Sequence, residues 1–407
     1  MTSFLSKRAH KWGYEEHSLD PAGTPTFVSA RTETKATRQQ KCRRSTLLAM
    51  SLPPPQRPMV LGLFEKRVDG DDSLMELARL RFQHSGLGTE MHAGMPEQLE
   101  WTMRFRPSPE APVVVHLARD FNLADESSRR RILDFGSRFA GRVHGLVLHD
   151  HADLATRPED FVRAARGTNS KLEAIARAPM LFVEFAAGLE PKVFTRFFES
   201  IRELGGVSAC IDIGHVGIWQ ARQAYRQLHP GEDICALKHH ADRLPQVMAD
   251  VDQAVASALP VVLDLIGALG ALGKPVHFHL HDGHPLSTFN PFGVSDHLSF
   301  LVEIPLGFEH RGRRSVPLMF GPGGLRHIAA QACRAIGRDR LSFTLEIHPT
   351  NDRLPLGDAA PLFQHWRDKT NAKIMNHWLA VLARNHRLLL DSMPTDTARL
   401  DRENHIR

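Results

Sequence analysis

The chain is poor in the features that would settle its class at once. Four cysteines in 407 residues (Cys42, Cys210, Cys235 and Cys333) are scattered and form no CxxC pair. That argues against a disulfide framework or a thiolate zinc site and fits free thiols in a reducing cytoplasm. No uninterrupted apolar run approaches the roughly 18–20 residues of a membrane span, so no membrane is expected. Charge of one sign is not concentrated either. Lys+Arg number 51 against Asp+Glu 46, a formal charge of +5. A small polar or anionic substrate suits that balance; a nucleic acid would need a localised basic patch.

What the chain has in quantity is histidine, 24 residues, several placed where short β-forming runs end. VVVHL ends at His116, LVLHD carries His149 and LFVEF carries Glu184. ACIDIGH carries Asp212 and His215, VHFHLHD carries His279 and His281, and LSFTLEIHP carries Glu346. Six strands that finish in metal-capable side chains match a parallel barrel with its site at the C-terminal face. From Pro58 onward the runs alternate with helical stretches about every thirty residues. Adding PMVLGLF and LGTEMHAG gives eight strand-then-helix units. The expected fold is therefore α/β, a (β/α)8 TIM barrel.

Around the barrel, residues 57–360, lie two appendages. Residues 1–56 show no periodicity and close on Pro53-Pro54-Pro55. They are expected to be a poorly ordered extension, or the product of a start assigned too early, with Met50 as the alternative start. Residues 361–407 are expected to form a helix to about Ser392, followed by a polar tail. Phe363, Trp366, Ile374, Trp378, Leu382 and Leu389 mark its apolar face, which would pack on the barrel or join two subunits as a homo-oligomer. Between His297 and Gly321 an insertion after the seventh strand should overhang the mouth, where Arg311, Arg313 and Arg314 are candidates to grip an anionic substrate.

Each site residue also has an ordinary reading. A buried histidine is commonly just hydrogen-bonded, Asp212 would serve as a helix N-cap, His215 as a polar rim residue, and the arginines as a solvated turn. Glu184 and Glu346 are harder to explain that way, because a carboxylate buried without a cation costs several kcal/mol. Repetition at one end of six strands favours metal. Nitrogen and oxygen donors without thiolate suit zinc or manganese.

These motifs, in this order, resemble the xylose-isomerase-like barrels, which include sugar isomerases, epimerases and the endonuclease IV class of abasic-site nucleases. HLARDFNLAD at 116–125 is similar to the family's His-x5-Asn-Leu-Ala segment, and LVLHD to its fourth-strand His. VEFAAG at 183–188 is similar to its Glu strand, IDIGH to its Asp-x-x-His, and FHLHD and LEIHP to its last two ligand strands. The likeness spans about residues 58–350. It implies two divalent ions, zinc or manganese, bridged by Glu184. His116 and His149 would complete one site; Asp212, His279 and Glu346 would hold the other.

A third ion in the nuclease class uses the Asp-x-x-His histidine, here His215, with a later Asp-x-His. This chain offers Asp296-His297 instead, adjacent residues whose side chains point apart on an extended segment. His281, Asp282 or His284 are the substitutes, and the third site stays open. Where the nucleases carry a Tyr-Leu wedge this chain has Arg119-Asp120, a poor filler for an extruded nucleotide. Its first strand also lacks their Gly-x-His.

The leading expectation is hydrolysis of a phosphoester or another small polar substrate at a dinuclear centre, with His215 or His281 moving a proton. The alternative is a one-metal sugar or sugar-phosphate isomerase or epimerase. In it Glu184 and Glu346 act as acid and base, and His116 and His149 bind substrate hydroxyls. Abasic-site cleavage and a non-catalytic barrel scaffold rank below both.

Overall fold

The computed structural model describes residues 58–63, 72–186, 188–234, 244–283, 297–301, 308–310, 313–315, 318–347 and 372–394. Eight parallel strands close a barrel. They are β1 (Met59–Leu63), β2 (Gly88–Ala93), β3 (Val113–Leu117), β4 (Gly145–His149), β5 (Met180–Glu184), β6 (Val207–Asp212), β7 (Val276–Leu280) and β10 (Leu341–Leu345). Around the ring they run β1-β10-β7-β6-β5-β4-β3-β2. The helices are α1 (Asp72–Phe82), α2 (Pro96–Thr102), α3 (Glu126–Arg138), α4 (Pro158–Glu173), α5 (Pro191–Ser200), α6 (Ile213–Leu228), α7 (Leu244–Ala256), α8 (Ala258–Gly270), α9 (Gly321–Ala335) and α10 (Ala372–Ser392). All eight strands read from the sequence are present.

Local signals explain where elements begin. Asp125 caps α3 by accepting the Ser128 amide at 2.8 Å, and Pro158 and Pro191 open α4 and α5. The passage before β7 is two helices broken at Ser257, with Pro260 in the first turn of α8. Taken together across Ser257, Ala249–Gly270 is long and apolar enough to cross a membrane by length and composition, although Asp250, Asp252 and Asp264 interrupt it, so the expectation of no uninterrupted apolar run stands. Its Val251, Ala254, Val255, Val262, Leu265, Ile266 and Leu269 are buried in the apolar layer between helices and barrel, as in the outer layer of a barrel.

The strands alternate between two apolar layers and a polar one. Outward positions such as Val115, Ile211 and Phe278 feed the helix layer. Inward, Leu61, Val114, Val147, Phe182 and Cys210 form an apolar floor. Beside and above it the interior is polar, with Glu90, His116, Glu184, Asp212, His277, His279, Thr344 and Glu346 all buried. Barrel interiors are ordinarily filled by branched apolar side chains, so this half is built for something other than packing.

After β7 the backbone of Asp282 pairs with Leu298 (N–H to O 2.8 Å, and 2.7 Å in return), which brings 297–301 back over the mouth. A small antiparallel hairpin, β8 (Phe308–His310) with β9 (Arg313–Ser315), belongs to the same excursion. The C-terminal helix α10 packs on the barrel: Trp378, Leu379, Leu382 and Leu389 are buried. Trp378 Nε1 donates to the Ile347 carbonyl at 3.0 Å, and Asn385 Oδ1 accepts the Phe300 amide at 3.1 Å. The expected stretch 361–371 and the N-terminal extension lie outside the described residues.

Candidate metal centre

Alternation puts every other residue of a strand inside the barrel, and register sets them level. His149 on β4 lies beside Glu184 on β5, and Asp212 on β6 beside His279 on β7. The result is a continuous cluster at the C-terminal end. Glu184 is its centre. Its Oε2 lies 3.0 Å from His116 Nε2 and 3.4 Å from His149 Nε2, while its Oε1 lies 3.3 Å from His279 Nδ1. His279 Nδ1 is also 3.2 Å from Glu346 Oε2. Two groups suited to a cation follow, His116/His149/Glu184 and Glu184/Asp212/His279/Glu346, each with donor atoms within 4.8 Å of one another. These are the two sets that the resemblance implied.

Asp212 is the N-cap of α6 and also faces the donor cluster. Its Oδ1 caps α6 by accepting the His215 amide at 2.8 Å and also meets His281 Nε2 at 2.9 Å. Its Oδ2 has no hydrogen-bond partner among the described residues, and neither has His279 Nδ1. Buried polar atoms are almost always satisfied, so a cation between these two atoms fits the residues present. A third group joins Asp212, His215, His281 and His297, with the His281 and His297 rings 4.0 Å apart. His281 thus stands where the sequence left the third site open. Asp296 and His284 lie outside the described residues, as does Arg311; Arg313 and Arg314 sit on β9.

Protonation follows from burial and neighbours. Burial pushes the His149 imidazole down to about 3, outweighing the pull of Glu184, so its nitrogen lone pair is free at neutral pH. For Glu184 burial alone would raise the carboxyl, but His279, His149 and His116 hold it well below the usual carboxylate range. Burial works against charge on His279 too, yet Glu90, Glu184 and Glu346 lift it well above an ordinary histidine. The Cys210 thiol beside it is pushed up by burial, stays protonated at neutral pH and adds no charge. His281 is raised likewise, against burial, by Asp212.

Three buried participants escaped the sequence reading. Glu90 on β2 lies 3.0 Å from His279 Nε2 and 3.1 Å from His277 Nε2. Cys210, His277 and His279 also converge in the interior, which places a thiol next to a donor set read as thiol-free. Glu90 and His277 sit mid-strand rather than at a strand end, so a search of strand ends passes over them. Their signal was the period-two spacing Glu90/His92 and His277/His279/His281.

No family model and no curated relative matches the chain. Among solved structures it is similar to the carboxyl transferase domain of Rhizobium etli pyruvate carboxylase at 11% identity, over 81% of this chain and 48% of that one, TM-score 0.35. The chain therefore spans about half the length of that domain. A class V chitinase from Pseudomonas fluorescens Pf-5 matches at 14% identity, over 74% and 98%, TM-score 0.41. A xylose isomerase-like TIM barrel protein from Mycobacterium smegmatis, in complex with magnesium, matches at 10% identity, over 82% and 100%, TM-score 0.39. None of the three bears on the reaction. The fold itself is plain from the closed eight-stranded ring: a (β/α)8 barrel.

Proposed function

We propose that this barrel is a divalent-metal-dependent enzyme that hydrolyses a phosphoester or another small polar substrate at two ions sharing Glu184. The observation that carries this reading is the division of one carboxylate, Oε2 toward His116 and His149 and Oε1 toward His279. A single-ion site gives no reason for that division. His116 and His149 with Glu184 Oε2 would hold one ion; Glu184 Oε1, Asp212 Oδ2, His279 Nδ1 and Glu346 would hold the other. Nitrogen and oxygen donors suit zinc or manganese. Ions bound there would lower the pKa of water and screen charge on a leaving oxygen.

The chain's own residues divide the remaining work. His116 Nδ1 lies 2.9 Å from the Leu117 carbonyl and Nε2 3.0 Å from Glu184 Oε2; an Nδ1–H held by that carbonyl would free Nε2 for an ion beside Glu184. His281 Nε2 lies 2.9 Å from Asp212 Oδ1 and its Nδ1 3.3 Å from the Asp282 carbonyl, and Asp212 raises its pKa against burial, which favours a proton staying on this ring. His215 is freer: 11% exposed, with Nε2 3.6 Å from Asp212 Oδ2. It is the residue placed to carry a proton between site and solvent. Arg311, Arg313 and Arg314 are proposed to grip an anionic substrate. Asp120 is bound to Arg131 at 2.8 Å, which supports a reading away from DNA, since a tethered carboxylate is no wedge.

A second reading is favoured by Glu184 and Glu346 flanking one nitrogen of His279 at 3.3 and 3.2 Å. Paired carboxylates beside one ion would pass a proton on and off the carbon next to a sugar carbonyl. Elemental analysis of protein purified without chelator separates the two, beside a His116→Ala/His149→Ala variant. Two ions, with one lost in the variant, are expected; turnover on a phosphoester panel should then vanish in Glu184→Gln. One ion, unchanged in the variant, sinks the hydrolase and directs the assay to ketoses and their phosphates.

A further inference from the structure

Beneath the donor atoms lies a second buried layer that the reaction above does not use. Glu90, His277, Ser342 and Thr344 are all at most 3% exposed and joined in one hydrogen-bonded chain. Glu90 Oε1 faces His279 Nε2 at 3.0 Å, and its Oε2 meets His277 Nε2 at 3.1 Å and the Thr344 hydroxyl. His277 Nδ1 in turn lies 2.7 Å from Ser342 Oγ. One proton assignment satisfies every group. Ser342 donates to His277 Nδ1, and His277 Nε2–H, Thr344 O–H and His279 Nε2–H all donate to Glu90.

The consequence falls on His279. A neutral imidazole carries one N–H, so an anion at Nε2 draws the proton there and leaves the Nδ1 lone pair toward Glu184, Asp212 and Glu346. We infer that Glu90 is the positioning carboxylate of this centre: it sets the tautomer and ring orientation of His279 for the ion that Glu346 and Asp212 face. A fully buried glutamate has no packing reason to occupy a barrel interior. Its place between two imidazoles and a hydroxyl is explained by what it does to His279. This rests on the metal reading above, though on His279 alone among its ligands.

The test is the affinity of each ion, measured with zinc against a chromophoric chelator at fixed pH, in the wild type and in Glu90→Gln. Glutamine keeps the shape and an acceptor for His279 but removes the charge. Expected are two ions in the wild type and, in Glu90→Gln, one ion held as before and the other weakened roughly 10- to 100-fold. A general loosening would weaken both. Both affinities unchanged, or both reduced alike, would overturn the assignment.

A wild type holding one ion would sink the dinuclear reading alone; Glu90→Gln must still weaken that ion, since His279 serves either arrangement. A wild type holding none sinks both. Should Glu90→Gln fail to fold, Thr344→Val removes one donor to Glu90 and leaves the charge in place. It is expected to weaken the same ion by roughly three- to ten-fold, and unchanged binding again overturns the inference.

Discussion

At the scale of single residues, a glycine decides where His281 lies. A Cβ on Gly214 would fall 1.8 Å from His281 Cε1, so the helix backbone and the imidazole can meet only because no side chain intervenes. Gly214→Ala should cost about 1–3 kcal/mol in chemical unfolding, the usual range for overpacking, and should part His281 from Asp212 in a crystal structure. A variant as stable as the wild type would refute the contact. His149 makes a prediction with a sign. Its folded-state value, about 3, lies below the 6.5 of an ordinary histidine. The unfolded chain therefore binds the extra proton between those values, and stability present above pH 6.5 is lost as pH falls through that window. Metal-free wild type should lose up to about 1.4 kcal/mol more per pH unit than His149→Gln between pH 6 and 4. Parallel stability curves for the two proteins would dismiss the shift.

At the scale of elements, Asp282 is the joint between β7 and α9. Its carboxylate accepts the amides of Gly283 at 2.8 Å, Met319 at 2.8 Å, Phe320 at 3.0 Å and Gly321 at 2.6 Å, placing an anion at a helix N-terminus. Asp282→Ala leaves buried N–H groups unmet, at about 1–3 kcal/mol each. The unfolding midpoint in urea should fall by the equivalent of about 3 kcal/mol or more; a fall below about 1 kcal/mol would mean water replaces the carboxylate. The sequence reading took Asp282 only as a spare ligand, because three of the four amides come from a segment 37 to 39 residues away. The strands and most helices were legible for the opposite reason, as each carries its own period and caps. The two donor groups around Glu184 came from the resemblance and not from the strand pattern, which by itself gave only that metal-capable residues share one end of the barrel. Glu90 was not legible: its meaning depends on His277 and His279, 187 and 189 residues later, and on the far side of a closed ring.

At the scale of the whole molecule, the upper barrel concentrates Glu90, Glu184, Asp212 and Glu346 among histidines, each carboxylate nearly inaccessible to water. Such a cluster folds without metal only by holding protons, and His279 and His281 are the groups whose values are raised to do so. A cation at His279 Nδ1 competes with that proton, so binding and proton release are linked. Titrating metal-free protein with zinc at pH 7, in two buffers of different ionisation heat, should give heats that differ by about one released proton for the ion on Asp212, His279 and Glu346. The ion on His116 and His149 should release fewer, since His149 is already neutral there. Stability follows the same accounting. Each ion present at a hundred times its dissociation constant adds about 2.7 kcal/mol, and a chelator in excess should lower the melting temperature to that of Glu184→Gln prepared without metal. Heats identical in both buffers would mean that His279 carries no displaceable proton, and the buried carboxylates would then need another source of compensation.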